Sequence, residues 1–101
     1  TVKVAKIVGF CVARAMDQEW ELENIAVSSE SQRHGYGRQL ISELIRTART
    51  ENVKLVFLEV RESNLKARAF YEKHGFRESG RRPTYYSSPI EDAILYQFVM
   101  T

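Results

Sequence analysis

The residues richest in chemical potential are Ser31-Gln32-Arg33-His34-Gly35-Tyr36-Gly37-Arg38-Gln39-Leu40, a basic, glycine-punctuated turn that leads into an amphipathic pattern. Such a turn suits an anion. Gly35 and Gly37 remove side chains where backbone approaches a ligand, and a helix beginning there presents N–H groups and the positive end of its dipole. Arg33 and Arg38 add charge that suits a pyrophosphate. Two phosphate-binding patterns do not match. A Walker loop closes on Gly-Lys-Ser/Thr, whereas Gly37 is followed by Arg38-Gln39; a dinucleotide fingerprint needs a third Gly or Ala where Leu40 stands. What remains is the spacing Gln32-x-x-Gly35-x-Gly37, which taken alone also describes a surface helix with a glycine start.

Other residue types point to proton transfer. Glu59 breaks the apolar run Leu55-Val56-Phe57-Leu58-Glu59-Val60. It reads either as a carboxylate at a frayed strand end or as one kept inside a cleft, where burial tends to raise its pKa toward the working pH of a general base. Tyr71 reads as a half-buried core tyrosine with its hydroxyl satisfied, or as a phenol protonated at neutral pH and able to donate. Arg81-Arg82-Pro83 and Tyr85-Tyr86 form a basic, aromatic loop, stiffened by Pro83 and Pro89. Cys11 lies among apolar residues with no histidine placed to activate it, so it reads as an inert, buried thiol. Neither His34 nor His74 has the partners of a zinc site, and no metal is expected.

The elements that must position these groups follow from periodicity. Val2-Lys3-Val4 looks like strand, Ile7 to Met16 is a β-branched apolar run, and Asp17-Gln18 supplies a turn. Trp20 to Val27 alternates, with Trp20, Leu22 and Ala26 on one face and Glu21, Glu23, Ile25 and Val27 on the other. Leu40, Ile41, Leu44, Ile45 and Ala48 recur at helical spacing, and Glu51-Asn52 ends that helix. Leu55 to Val60, apolar on both faces, predicts a central strand covered by helices on both sides. Ser63 or Asn64 caps a short helix, Leu65 to Lys73, with Leu65, Ala69 and Phe70 apolar and Gly75 as its stop. Phe76 to Gly80 and Ala93 to Met100 close the order as strands.

Composition narrows the class. A chain of 101 residues is one small domain, 1–101, with ordinary hydrophobic (44%) and charged (28%) content. A net charge of +2, with acids and bases interleaved, does not argue for nucleic acid. A single cysteine excludes an internal disulfide framework and fits a reducing compartment. No apolar run nears the roughly 18 residues of a membrane span, so no membrane and a cytoplasmic location are expected. The chain begins at Thr1, which reads as loss of an initiator methionine or as a piece of a longer protein.

In this order the motifs resemble the Gcn5-related N-acetyltransferase (GNAT) superfamily, an α/β fold with a mixed sheet, here without its usual N-terminal strand and two helices. Within it, the strings Asn24-Ile25-Ala26-Val27, Gln32 to Arg38, Leu58-Glu59-Val60-Arg61, Ser63-Asn64, Phe70-Tyr71, Gly75-Phe76 and Tyr85-Tyr86 with Glu91-Asp92-Ala93 look most like the RimI-type ribosomal-protein-alanine acetyltransferases. The resemblance implies acetyl-CoA as acyl donor and CoA as product. It implies backbone contacts from Ile25, Ala26 and Val27 to the pantetheine arm, Gln32, Arg33, His34, Gly35, Tyr36, Gly37 and Arg38 around the pyrophosphate, and Asn64 on the pantetheine chain. Glu59 would be the general base, Tyr71 the general acid, and Tyr85 and Tyr86 would line the peptide side. The implied acceptor is a protein or peptide N-terminus, and the RimI-type resemblance points to that of a ribosomal protein. Glu21 and Glu23 are alternative bases. A lysine or small-molecule acceptor and a non-catalytic acyl-CoA-binding module stand as alternatives. Exposed apolar surface where the absent helices would pack is expected to favour a homodimer.

Overall fold

A computed structural model of the chain describes residues 2–6, 9–27 and 35–100, with the backbone alone described at residues 5, 6, 26 and 27. It contains six strands and two helices: β1 (Val2–Lys6), β2 (Gly9–Met16), β3 (Glu19–Val27), α1 (Tyr36–Thr50), β4 (Leu55–Arg61), α2 (Leu65–Lys73), β5 (Arg77–Ser87) and β6 (Ile90–Val99). The chain divides into two units, Thr1–Val56 with Met100–Thr101, and Phe57–Val99.

The first unit is an antiparallel meander, β1-β2-β3, joined by the start of β4 and packed on α1. Met16 pairs with Glu19 across the Asp17-Gln18 turn, and Asp17 takes a left-handed φ of 56°, a conformation that aspartate tolerates better than most residues. The predicted helical stripe is realised in full: Leu40, Ile41, Leu44, Ile45 and Ala48 are buried. Cys11 is fully buried, its sulfur 3.9 Å from the Leu40 carbonyl, and burial pushes its thiol pKa up, as expected of a structural cysteine.

Strict alternation along β3 fails at one place. Val12 pairs with Asn24 but Ala13 pairs with Leu22, so Glu23 is the extra residue of a bulge. Each bulge residue shifts the following side chains to the other face. Ile25, opposite Cys11, therefore shares the face of Leu22, opposite Ala13, instead of the face with Glu21 that simple alternation assigns it.

The second unit places the remainder of β4 beside β6, and β6 beside β5 in an antiparallel hairpin. Ala93 and Ile94, successive in β6 and so on opposite faces, are both fully buried. β4 departs from the expected double coverage: Val56, Leu58 and Val60 are buried, while Leu55, Phe57, Glu59 and Arg61 on its other face are only half-buried. The expected loop from Arg81 to Tyr86 is instead strand. It continues β5 as far as Ser87, with Arg82 opposite Ala93 and Tyr86 opposite Glu91, so that Pro83, Thr84 and Tyr85 bulge out against Asp92. Pro83 has no N–H to give a ladder, which is one reason pairing is interrupted there.

Both helices end in the same way. In α1, Val53 N–H reaches the Ala48 carbonyl (3.0 Å) and Asn52 N–H the Arg49 carbonyl (3.2 Å), with Asn52 at φ 60°. In α2, Phe76 N–H reaches Tyr71 (3.0 Å) and Gly75 N–H reaches Glu72 (3.3 Å), with Gly75 at φ 96°. Each is a Schellman stop in which one left-handed residue lets the chain turn back and satisfy the last carbonyls. At its start, α2 is capped by Asn64 Oδ1, which accepts from Ala67 N–H at 3.2 Å.

No residue of α2 is fully buried, and Leu65, counted among its apolar positions, is 69% exposed. The helix is anchored by polar contacts as well as apolar ones. The Tyr96 hydroxyl, on a ring with no exposed surface, donates to Glu72 Oε2 (2.6 Å) and accepts from Arg68 Nε (3.1 Å). Burial, then the hydrogen bond with Glu72, push this phenol's pKa up. Tyr96→Phe is expected to cost about 1–2 kcal/mol, because it removes the hydroxyl and leaves two helix side chains without that partner. Urea denaturation measures this, and unchanged stability would show that the network contributes nothing net.

Candidate active site

The glycine turn opens α1 in the first unit: Gly35 is its N-cap, with φ 80° and ψ 9°. Among the described residues a Cβ at Gly35 would meet Arg38 Nη2 alone, at 3.8 Å, and its left-handed backbone by itself calls for glycine. Among the described residues no side chain caps this end, and the first turn contains no acidic residue. Arg38 instead places a guanidinium beside the positive end of the dipole, an unfavourable position for a cation unless an anion shares the site. Gly35, Tyr36, Gly37 and Arg38 thus fit a pyrophosphate. Gln32, Arg33 and His34 lie outside the described residues. Ile25, Ala26 and Val27 form the end of β3, where the backbone of Ala26 and Val27 pairs with Phe10 and Gly9.

Glu59 and its neighbours lie in the second unit. Glu59 is neither frayed nor terminal: it lies inside β4 and its side chain is 13% exposed. Its Oε1 is 3.3 Å from Arg82 Nε. Arg82 also stacks over Tyr85 (5.4 Å to the ring centroid), and Tyr85 meets Tyr86 edge-on with centroids 5.1 Å apart. Arg61 lies over the Tyr86 ring at 4.2 Å and bonds Glu91 Oε2 at 3.2 Å. Burial first, and the Glu59 charge second, raise the Tyr86 pKa. Glu91 also accepts from the Ser63 N–H in the β4–α2 turn; the Ser63 side chain first, then that N–H, and then Arg61 hold its carboxyl below the usual range.

The structure therefore brings Glu59, Tyr85 and Tyr86 into one cluster. Tyr71 belongs to a different one, an aromatic group in which its ring meets Phe70 (5.4 Å) and Phe76 (5.6 Å). Asn64 commits its carbonyl oxygen to the α2 cap, leaving its amide group as the donor for any ligand. Of the alternative bases, Glu21 is bonded to Arg14 at 2.7 Å and Glu23 lies 3.9 Å from the same guanidinium. Sequence reasoning missed Arg61, Arg82 and Glu91 as the residues that hold the cluster together. The signal for Arg82 and Glu91 was the pair of charged runs, Arg81-Arg82 and Glu91-Asp92, flanking the tyrosines; Arg61 had none beyond closing the string Leu58-Glu59-Val60-Arg61. Among the described residues no group of three or more His, Cys, Asp or Glu side chains could hold a metal, and no helix is long and apolar enough to cross a membrane.

A glycine-opened helix start after a β-meander, followed by a strand and a second helix, is an α/β acetyltransferase-type element order, and the chain belongs to the Acetyltransferase (GNAT) family, whose profile residues 3–76 match. The chain is 40% identical over 92 residues to the ribosomal protein bS18-alanine N-acetyltransferase of Salmonella typhimurium, covering 89% of this chain and 62% of that protein. The crystal structure of the Escherichia coli ribosomal-protein-S18-alanine N-acetyltransferase superposes with a TM-score of 0.83 at 38% identity, over 93% of this chain and 62% of that one. Ard1 from Thermoplasma volcanium gives a TM-score of 0.84 at 32% identity, over 93% and 64%. A GNAT family acetyltransferase from Elizabethkingia anophelis, solved with acetyl-CoA bound, gives 0.85 at 27% identity, over 94% and 70%. The chain thus spans about three-fifths of the length of the bS18-alanine acetyltransferase it matches.

Proposed function

We propose that this protein transfers an acetyl group from acetyl-CoA to the N-terminal α-amine of a protein, of the ribosomal-protein-alanine type, in the cytoplasm. The observation that carries the reading is the sheltered Glu59 carboxylate clustered with Tyr85 and Tyr86 in a chain 40% identical to bS18-alanine acetyltransferases. Acetyl-CoA supplies the activated thioester. Gly35, Tyr36, Gly37 and Arg38, with Gln32, Arg33 and His34, hold its pyrophosphate; the backbone of Ile25, Ala26 and Val27 and the amide of Asn64 hold the pantetheine. Glu59 takes the proton of the attacking amine, directly or through a water, and Tyr71 gives its phenolic proton to the departing sulfur. Tyr85 and Tyr86 flank the acceptor peptide. An α-amine with a pKa of about 7.7–8.0 is appreciably neutral near pH 7.5, whereas a lysine near 10.4 is neutral only at about the 0.1% level, so a modest base suffices for the former. A homodimer is part of the same proposal, supported by the exposed Leu65 (69%) and Ile90 (74%).

The test is a mass-spectrometric assay of acetyl transfer from acetyl-CoA to two matched peptides, one with a free N-terminal alanine and one N-blocked with an internal lysine. Acetylation of the free N-terminus alone is the expected result. Transfer to the lysine peptide alone would replace the acceptor class, and transfer to neither would reduce the chain to an acyl-CoA-binding module.

A further inference from the structure

The bulge that presents Tyr85 is braced by more than its ladder requires. Thr84 has φ 50°, in the left-handed region that β-branched residues avoid. Backbone of this kind persists only where neighbours over-determine it. Here the neighbour is Asp92. Its Oδ1 accepts the Thr84 N–H at 2.8 Å and its Oδ2 accepts Arg81 Nη1 at 2.6 Å. The other terminal nitrogen of Arg81 donates to Glu62 Oε2 at 2.7 Å, and the Glu62 N–H donates to the Asp92 carbonyl at 3.1 Å. These four bonds tie the bulge to the turn that follows β4, the strand carrying Glu59. The Thr84 N–H first, and Arg81 next, hold the Asp92 carboxyl below its ordinary range, as expected of a carboxylate that is bonded as an anion.

Resting on the acceptor reading above, we infer that Asp92 is a positioning residue for the acceptor peptide: oriented by Arg81 and Glu62, it holds Thr84 in its left-handed conformation and so sets Tyr85 and Tyr86 relative to Glu59. A brace with only a structural role would change stability; this one changes peptide recognition selectively.

The experiment is steady-state kinetics of acetyl transfer to the N-terminal alanine peptide by the wild-type protein and by Asp92→Asn, Arg81→Gln and Asp92→Asn/Thr84→Gly. In the two single variants the peptide KM is expected to rise about tenfold, the loss typical of a broken charge-assisted hydrogen bond that orders a loop. The kcat at saturating peptide and the KM for acetyl-CoA are expected to stay within about twofold, the pattern of lost uniform binding. Thr84→Gly is expected to restore part of the peptide KM in the Asp92→Asn background, because glycine takes a positive φ without strain. An unchanged peptide KM in both single variants, or a rise in both KM values with a fall in kcat, overturns the inference while leaving the acceptor reading intact. Absence of transfer by the wild-type protein overturns both.

Discussion

Glu59→Gln is expected to lower kcat/KM for an N-terminal alanine peptide by about 10²–10³-fold near pH 7, the range for loss of a positioned general base. The loss should shrink as pH rises past about 8, because the acceptor amine, with a pKa of about 7.7–8.0, then arrives neutral without help. Tyr71→Phe is expected to behave differently: a fall of about 10²-fold that persists across the same range, because a departing thiolate needs its proton whether or not the amine was already neutral. The pair of pH profiles therefore separates the two roles. Glutamine preserves the size and much of the polarity of Glu59, so Arg82, 57% exposed at its side chain, can turn to water instead of being stranded. Wild-type kcat/KM in Glu59→Gln at pH 7 would remove the assignment of the base and return attention to Glu21 and Glu23. A Tyr71→Phe profile that converges on wild type at high pH would make Tyr71 part of the base pathway rather than the acid.

The largest expected effect on stability is at Gly75. Asn52 and Gly75 occupy equivalent positions in the stops of α1 and α2, both with positive φ, and asparagine is the residue after glycine best suited to that conformation. Conformation alone would make the two interchangeable. Surroundings do not: a Cβ at Gly75 would lie 2.8 Å from Cε2 of Phe98, whose ring packs on Phe76 with centroids 5.6 Å apart. Gly75→Asn is therefore expected to destabilise by about 2–3 kcal/mol, since the ring must leave a packed position, whereas Asn52→Gly changes stability by only a few tenths of a kcal/mol, roughly the difference between two good left-handed caps. Urea denaturation of both variants checks the contrast. Equal effects at the two positions would show that Phe98 yields without cost. Phe98→Leu combined with Gly75→Asn should recover part of the loss, because a smaller, flexible side chain vacates the space.

Legibility followed the range of the interactions involved. The stripe Leu40, Ile41, Leu44, Ile45 and Ala48 was readable because helical periodicity is a property of neighbours in the chain, and all five are buried. The Asn64 cap, the Gly75 stop and the Asp17-Gln18 turn were readable for the same reason, since each depends on the φ a residue can adopt or on a donor three positions away. Glu59 stood out as a charge inside an apolar run, but whether it was frayed or sheltered depended on what covers that face of β4. Strand faces were the weak point. Alternation assigned Ile25 to the side of Glu21, and one extra residue, Glu23, moved it.

The sequence by itself determined the order of elements, the buried face of α1 and the left-handed stops, because these are encoded in local periodicity and local backbone preference. Tertiary structure alone decided that Arg82 holds Glu59, that Arg61 covers Tyr86, and that Asp92 braces Thr84. Those partners are joined by strand register, and register is set by pairing between segments far apart in the chain, where a single bulged residue exchanges one face for the other.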